Sequence, residues 1–302
     1  MILDKIKFWL HAIRIKFLIS SIGSILIGLL INYHHHNFID VYYAILTTCG
    51  VVLLHISVDL LNDYWDFKRG IDNKTHRTKF SGGTGILPSG VIKPSHFYFI
   101  GMLFLFFGIC IGIYFIYVHG IMIAILLIFA IISIYFYSTK IVNYGLSEIF
   151  VCTKSAMILI GSYFIQYPEI SMDVILTGVN IGLLSSLVLF ISSFPDFDAD
   201  KHGGRRTILI IFGKRKSTII YWIFPILLYS IIIICVLLSL LNHYCLLVLL
   251  TIPLVIKYGV KLRTNYDNIN IIVHIIGRII LFSRLYSMLL ISGFIIDIVM
   301  VN

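Results

Sequence analysis

The sequence predicts an all-α, polytopic membrane protein: nine transmembrane helices in a bundle, two four-helix halves plus one. First, hydrophobic residues make up 59% of the 302-residue chain, only 12% is charged, and mean hydropathy is +1.00. Second, apolar runs near the length a bilayer core requires, about 20 residues for ~30 Å, recur along the chain. Third, these runs lack the alternation of apolar and polar residues that membrane-spanning strands show.

The opening stretch, MILDKIKFWLHAIRIKFLIS, is basic and amphipathic. It lacks a small-residue cleavage site behind a short apolar core, so it is expected to remain as an interfacial helix leading into the first span. Runs then follow at 15–32, 39–61, 96–117, 120–137, 147–166, 173–193, 218–240, 243–258 and 279–299. The polar stretch 257–278 is expected to be a cytoplasmic loop or interfacial helix. One membrane-embedded domain results: 1–144 as the first half, 145–258 as the second, and 259–302 as a cytoplasmic segment with the ninth helix.

Lysine and arginine set the expected orientation. Lys5, Lys7, Arg14 and Lys16 precede the first run, and Lys68, Arg69, Lys74, Arg77, Lys79 and Lys93 lie between the second and third. Lys140 falls between the fourth and fifth, six more bases between the sixth and seventh, and four between the eighth and ninth. The remaining connections carry none. This positive-inside pattern puts the N-terminus and long loops in the cytoplasm and the C-terminus outside a plasma membrane. The net charge of +9 is thus mainly a topology signal, and bases spread over loops at an anionic leaflet argue against nucleic-acid binding. Lys154 and Arg284 lie inside runs, where a charge costs ~2.5–3.5 kcal/mol on insertion scales. Each is expected to face a cavity or partner, or to snorkel.

The five cysteines have unrelated spacings and imply neither a metal site nor a disulfide framework. His34, His35 and His36 are expected to be solvated polar residues of an outer loop. Glu148 is expected to be an acid at a helix N-terminus.

Two acidic clusters stand apart from this apolar background. In DLLNDYWDFKRGID (59–72), helical spacing puts Asp59, Asp63 and Asp66 within about 60° on one face, with Asn62 beside them. In SSFPDFDADKHGGRRT (192–207), Asp196 and Asp200 share a face, Asp198 points elsewhere, and Pro195 opens or kinks the helix before them. The second cluster follows the sixth run as the first follows the second, an even number of spans later, so both face the same side. Each is followed by bases and glycines. Clustered carboxylates need a strong counter-charge, and Mg²⁺ held by one or two carboxylates while gripping substrate phosphates is a natural one. The stretch SGGTGILPSG (81–90) lacks the Gly-Lys-Ser/Thr ending of a Walker A loop and is expected to close over the site.

These residues make the chain resemble the UbiA family of intramembrane prenyltransferases, whose motifs read here Asn62-Asp63-Tyr64-Trp65-Asp66 and Asp196-Phe197-Asp198-Ala199-Asp200. The late third acid Asp72, the second loop, and YSTKIVNYGLSEI (137–149) are similar to the branch that prenylates 1,4-dihydroxy-2-naphthoate in menaquinone biosynthesis. The resemblance implies Mg²⁺ held by Asp63, Asp66, Asp196 and Asp200 on a polyprenyl diphosphate, supported by Asn62 and Asp72. It implies Arg77, Lys79, Lys201 and Arg205 against the leaving diphosphate, Tyr137 beside the allylic cation, and Lys154 toward the aromatic acceptor or the diphosphate. Other acceptors of the family are 4-hydroxybenzoate, haem and a lipid glycerol. The alternative from another class is a secondary transporter, whose ionisable residues lie near mid-membrane on broken helices; here the acids lie at span ends.

Overall fold

The computed structural model describes residues 8–72, 77–78, 80–137 and 140–301. These residues form helices α1 (Ile15–His36), α2 (Val41–Lys68), α3 (Pro94–His119), α4 (Ile121–Phe136), α5 (Ser147–Gln166), α6 (Met172–Ser192), α7 (Phe197–His202), α8 (Ile208–Ile220), α9 (Ile223–Leu237), α10 (Ile252–Asn265) and α11 (Ile269–Val301). Short 3-10 segments lie at Ile141–Tyr144 and His243–Thr251. Among the described residues there is no strand.

Among the described residues, seven helices are long and apolar enough to cross a membrane, the 3-10 segment at 243–251 counting with α10. An eighth crossing results if α8 and α9, bent by 51° at their junction, are one span. α4, with 16 residues, is a shorter apolar helix. The protein is a multi-pass membrane protein.

Local chemistry sets the helix ends. The Tyr43 amide donates to the Asp40 carboxylate at 3.0 Å, capping α2. Pro94 opens α3 at a position where a missing N–H costs nothing. Gly120, at φ +77°, turns α3 into α4 without the strain a side chain would bring there.

α5 packs against both α1 and α6, and α2 against α3. Glycine allows the first two approaches. A Cβ at Gly28 of α1 would meet the Leu159 carbonyl oxygen at 2.6 Å, and one at Gly182 of α6 would meet the Cys152 carbonyl oxygen at 2.3 Å. Small residues at such contacts let helix backbones come together where lipid provides no hydrophobic drive. The main core runs from α1, α5 and α6 through α9 to α11, and a smaller one joins residues 8–13 to α2, the 86–92 turn and α3.

The structure refines two sequence expectations. Of the two forms expected for 257–278, loop or interfacial helix, the stretch is helical: α10 runs to Asn265, a short turn follows, and α11 starts at Ile269. Its polar residues misled because they occupy the outer face, while Val255, Tyr258, Gly259 and Leu262 bury a stripe at helical spacing. The three histidines are also not free polar residues. His34 Nε2 lies 2.6 Å from Asp297 of α11, and His35 Nε2 lies 3.0 Å from Asp173 of α6. His36 stacks on Tyr167 with ring centroids 3.7 Å apart. They tie α1 to three other parts of the bundle.

Candidate active site

The acid clusters meet at one end of the bundle. α2 continues past the apolar run through Lys68, so Asn62, Asp63 and Asp66 occupy its last turns; Asp63 and Asp66 are buried. After α6, the chain passes through Pro195 into the single-turn α7, which carries Asp198 and Asp200.

Arg205 joins the two clusters. Its guanidinium donates to Asp66 and, at 2.9 Å, to Asp200 Oδ1. Burial alone would lower its pKa, but the carboxylates of Asp66 and Asp200 hold it above the ordinary arginine value. Asn62 Nδ2 donates to the other Asp66 oxygen at 3.1 Å, leaving that carboxylate bonded on both sides. Asp63 accepts from Arg14 on one oxygen and from the Thr84 hydroxyl on the other.

The glycine-rich loop lies over this pair of clusters. The Gly82 amide donates to Asp196 Oδ2 at 3.2 Å, and the Thr84 amide to Asp63 Oδ2 at 3.3 Å, so one loop touches both motifs. It also wraps Asp72 and Arg77: Asp72 Oδ1 stands 2.8 Å from where a Gly83 Cβ would be, and the Arg77 guanidinium 2.9 Å from a Gly85 Cβ. Both glycines have positive φ, +67° and +74°, so neither place tolerates a side chain. Arg77 donates to the Asp72 carbonyl at 3.1 Å.

The acids outnumber their partners. Asp196 Oδ1 is buried without a hydrogen bond. Burial first, then Asp200, pushes the Asp196 carboxyl up to about 7. Burial, then Asp66 and Asp63, does the same for Asp72. Burial also raises Asp200. Tyr137, at the end of α4, stands within the field of the same groups: burial raises its pKa, Arg205 opposes this, and Glu148, Asp66 and Asp200 add to it. Among the described residues, no three His, Cys, Asp or Glu side chains close into a ready-made metal cage.

The remaining expected residues fall elsewhere. Lys201 is exposed on α7, and Asp198 is exposed with Lys214 3.8 Å away. That agrees with the helical sorting that set Asp198 apart from Asp196 and Asp200. Lys154 lies on α5, two turns into the helix. Lys79 falls outside the described residues. Arg14 and Thr84 were invisible as site residues in the sequence. Arg14 sits in a basic run that topology explains, and nothing local marks it as a partner of Asp63. Thr84, inside the glycine-rich stretch, had at least the signal of that stretch.

The profile described as the UbiA prenyltransferase family matches residues 21–271. The chain belongs to the UbiA prenyltransferase family. It is a prenyltransferase enzyme, and the transporter alternative falls with that assignment. Among curated relatives of the family, the chain is 27% identical over 233 residues to a 1,4-dihydroxy-2-naphthoate octaprenyltransferase of Haemophilus influenzae, covering 74% of this chain and 75% of that protein. It is 27% identical over 181 residues to the enzyme of the same name from Bacillus subtilis; that match spans 58% of this chain and 56% of the Bacillus protein. These relatives carry the name of the branch that the sequence resembles. In fold, the chain is similar to an apo UbiA homolog from Aeropyrum pernix K1, with a TM-score of 0.70 at 15% identity over 94% of this chain and 99% of that one. It is also similar to an Archaeoglobus fulgidus UbiA homolog bound to GPP and Mg²⁺, with a TM-score of 0.63 at 14% identity and the same coverage.

Proposed function

We propose that the protein transfers a polyprenyl group from an allylic diphosphate to 1,4-dihydroxy-2-naphthoate, in a Mg²⁺-dependent step of menaquinone biosynthesis. The observation that carries this reading is the Arg205 bridge between Asp66 and Asp200, which makes two distant motifs one site. The acceptor follows from the relatives' names and from the similarity of the loops around Asp72 and Asp196 to that branch; 4-hydroxybenzoate, haem and a lipid glycerol are its competitors.

The residues fit Mg²⁺. The donor set is all oxygen, which suits a hard cation. Asp196 keeps a buried carboxylate oxygen unpartnered, and crowding of acids is what a divalent cation relieves. Absence of a closed cage suits an ion usually held by one or two carboxylates together with substrate phosphates. Asp63, Asp66, Asp196 and Asp200 would hold it, with Asn62 and Asp72 in support. When bound, Mg²⁺ supplies the positive charge that stabilises diphosphate as a leaving group.

The chain's own residues supply the rest. Arg205 is placed to turn from Asp66 and Asp200 toward the departing diphosphate, where a fixed cation meets developing charge. Arg77, Lys79 and Lys201 add positive charge from the loops. The C–O bond of the allylic diphosphate breaks, and its electron pair leaves with the diphosphate. Tyr137 presents its ring to the resulting cation. The acceptor ring carbon forms the new C–C bond and gives up its carboxylate as CO₂. Lys154 reaches the acceptor's carboxylate or the diphosphate. The glycine-rich loop, already touching both motifs, closes the site against water.

The same reading counts α4 and the bent α8–α9 pair as spans. That gives nine crossings in two four-helix halves plus one, within the divisions 1–144, 145–258 and 259–302. It places the protein in the plasma membrane with the N-terminus and site in the cytoplasm and the C-terminus outside. The test is product formation from labelled prenyl diphosphate in membranes, against a panel of the four acceptors, with and without Mg²⁺. Mg²⁺-dependent product from 1,4-dihydroxy-2-naphthoate supports the assignment. Product from another acceptor alone, or activity untouched by chelation, contradicts it.

A further inference from the structure

Away from the acid clusters, a groove of about 430 Å³ opens on the outside of the bundle between α10 and α11. Leu250, Leu254, Leu285, Met288 and Leu289 wall it, and Lys257 closes one end. Local structure makes the gap. The 3-10 segment sits directly on α11, where a Cβ at Gly293 would meet the Tyr244 carbonyl oxygen at 2.8 Å. The chain then changes from 3-10 to α-helix at Ile252, with Pro253 next. A three-residue period and a 3.6-residue period set different rows of side chains against α11. Contact resumes at Tyr258 and His274, whose ring centroids are 5.9 Å apart. The groove lies between these two points of touch.

Charge marks one end of it. Lys257 and Lys261, four residues apart, share a face of α10. Neither has an ion-pair partner among the described residues; the nearest acid in sequence, Asp267, faces Lys214 at 4.0 Å. Lys214 also faces Asp198, so the lysine end of the groove points to the end of the bundle that holds the acid clusters. Polar residues begin at Lys257 and fill the last turns of α10, which puts the hydrocarbon boundary near that residue. From there the groove runs roughly 10 Å toward the bilayer centre, the rise of the seven residues back to Leu250. A second outward groove, of about 270 Å³, supplies the contrast. It is lined by Ile39, Val41, Ala44, Ile45, Thr48 and Cys49, with no base among them.

We propose that the groove between α10 and α11 binds one anionic phospholipid, its acyl chain along the leucines and its phosphate against Lys257 and Lys261. The inference stands apart from prenyl transfer. Two unpaired lysines above an apolar cleft, at the face where basic loops meet an anionic leaflet, match a lipid headgroup in charge and its tail in shape. A zwitterionic lipid carries a cation of its own and gains less there. A second copy of the chain, docked about a two-fold axis through the groove, sets the lysines of both copies against each other.

The test is native mass spectrometry of the detergent-purified full chain with equimolar phosphatidylglycerol and phosphatidylcholine of the same acyl chains. The wild type retains phosphatidylglycerol about 10-fold over phosphatidylcholine, the scale of a hydrogen bond to a charged group. Lys257→Gln combined with Lys261→Gln brings the two lipids within about 2-fold, since neutral hydrogen bonds contribute less. Leu285→Trp, which fills the groove and keeps both lysines, lowers phosphatidylglycerol retention as much. Lys93→Gln, at the start of α3, leaves the preference intact. Equal retention of the two lipids by the wild type overturns the site. So does a double variant that keeps the preference, or a Lys93→Gln protein that loses it, which would mean diffuse attraction to a basic face. Displacement of phosphatidylglycerol by equimolar geranyl diphosphate overturns it in favour of a substrate site. Dissociation of a dimer by Leu285→Trp overturns it in favour of a seam between copies.

Discussion

At one end of the bundle, the carboxylates of Asp63, Asp66 and Asp200 share two guanidinium groups, while Asp72 and Asp196 carry raised pKa values. At the other end, His34 is matched to Asp297 and His35 to Asp173. Both ends collect acids from separated parts of the chain. The matched end ties α1 to α6 and α11, each acid facing one imidazole, as a fastening should. The crowded end has negative charge in excess, five acids around two bridging guanidinium groups, which a structural role does not require and a cation-binding role does. The difference between the ends is therefore stoichiometric: pairing fixes helices, and surplus charge prepares a site.

Substitutions at the crowded end have the largest expected effects. Asp66→Asn or Asp196→Asn lowers turnover by at least ~10²-fold, the scale of removing a preorganised electrostatic group, while the protein still inserts in membranes. Turnover of labelled prenyl diphosphate at saturating Mg²⁺ measures this, and near-wild-type activity would assign those acids to structure. Arg205→Gln, which unlinks the two motifs, follows closely. Arg205→Lys recovers only part of the loss, because an ammonium cannot span two carboxylates as a fork does.

Surplus charge also has a pH signature. Asp72 and Asp196 rise from an ordinary 3.8 to about 7 in the folded protein. The folded state thus holds those protons more tightly than the unfolded one. Their contribution to stability is complete below about 3.8 and is lost as pH rises through about 7. Thermal melts without divalent cation should show Tm falling across that window. Asp196→Asn should flatten the fall, and saturating Mg²⁺ with prenyl diphosphate should reverse it. A melt indifferent to pH would remove the argument from crowding.

At the matched end the expectation inverts. His35→Ala costs roughly 1–2 kcal/mol of stability, the worth of its two part-buried contacts with Tyr163 and Asp173, and leaves kcat nearly unchanged. A kcat loss as large as that of Asp66→Asn would erase the contrast between the ends. The smallest effect belongs to Asp198→Asn. Its side chain is 79% exposed, and a surface pair of this kind is worth ~0–1 kcal/mol, so activity stays within a few-fold.

Much of this was legible in the sequence because membranes and helices leave strong patterns. Apolar runs of bilayer length located the helices, and 3.6-residue spacing separated Asp198 from Asp196 and Asp200. What sequence concealed was pairing across long separations. Arg14 looks like any other base ahead of a first span, and its bond to Asp63 exists only once α1 and α2 pack together. His34 and His35 face acids on α6 and α11 that no local rule connects to them. The stretch 257–278 stayed open between loop and helix for another reason: averaging its polarity hid a buried stripe that its periodicity carries. Asp59 fell on the predicted acidic face, whereas Lys154 lies three helices further on, in α5.

The central claim is that the two acidic loops make a single cation-and-diphosphate site. Mn²⁺ binding in place of Mg²⁺, followed by electron paramagnetic resonance in the presence of geranyl diphosphate, reads that claim without turnover. Removing one acid from either loop, by Asp66→Asn or Asp200→Asn, should weaken Mn²⁺ binding about 10-fold or more, since each leaves the shared site short of a charged ligand. If one loop's variant binds Mn²⁺ as the wild type does, the loops do not share a site and the account is contradicted.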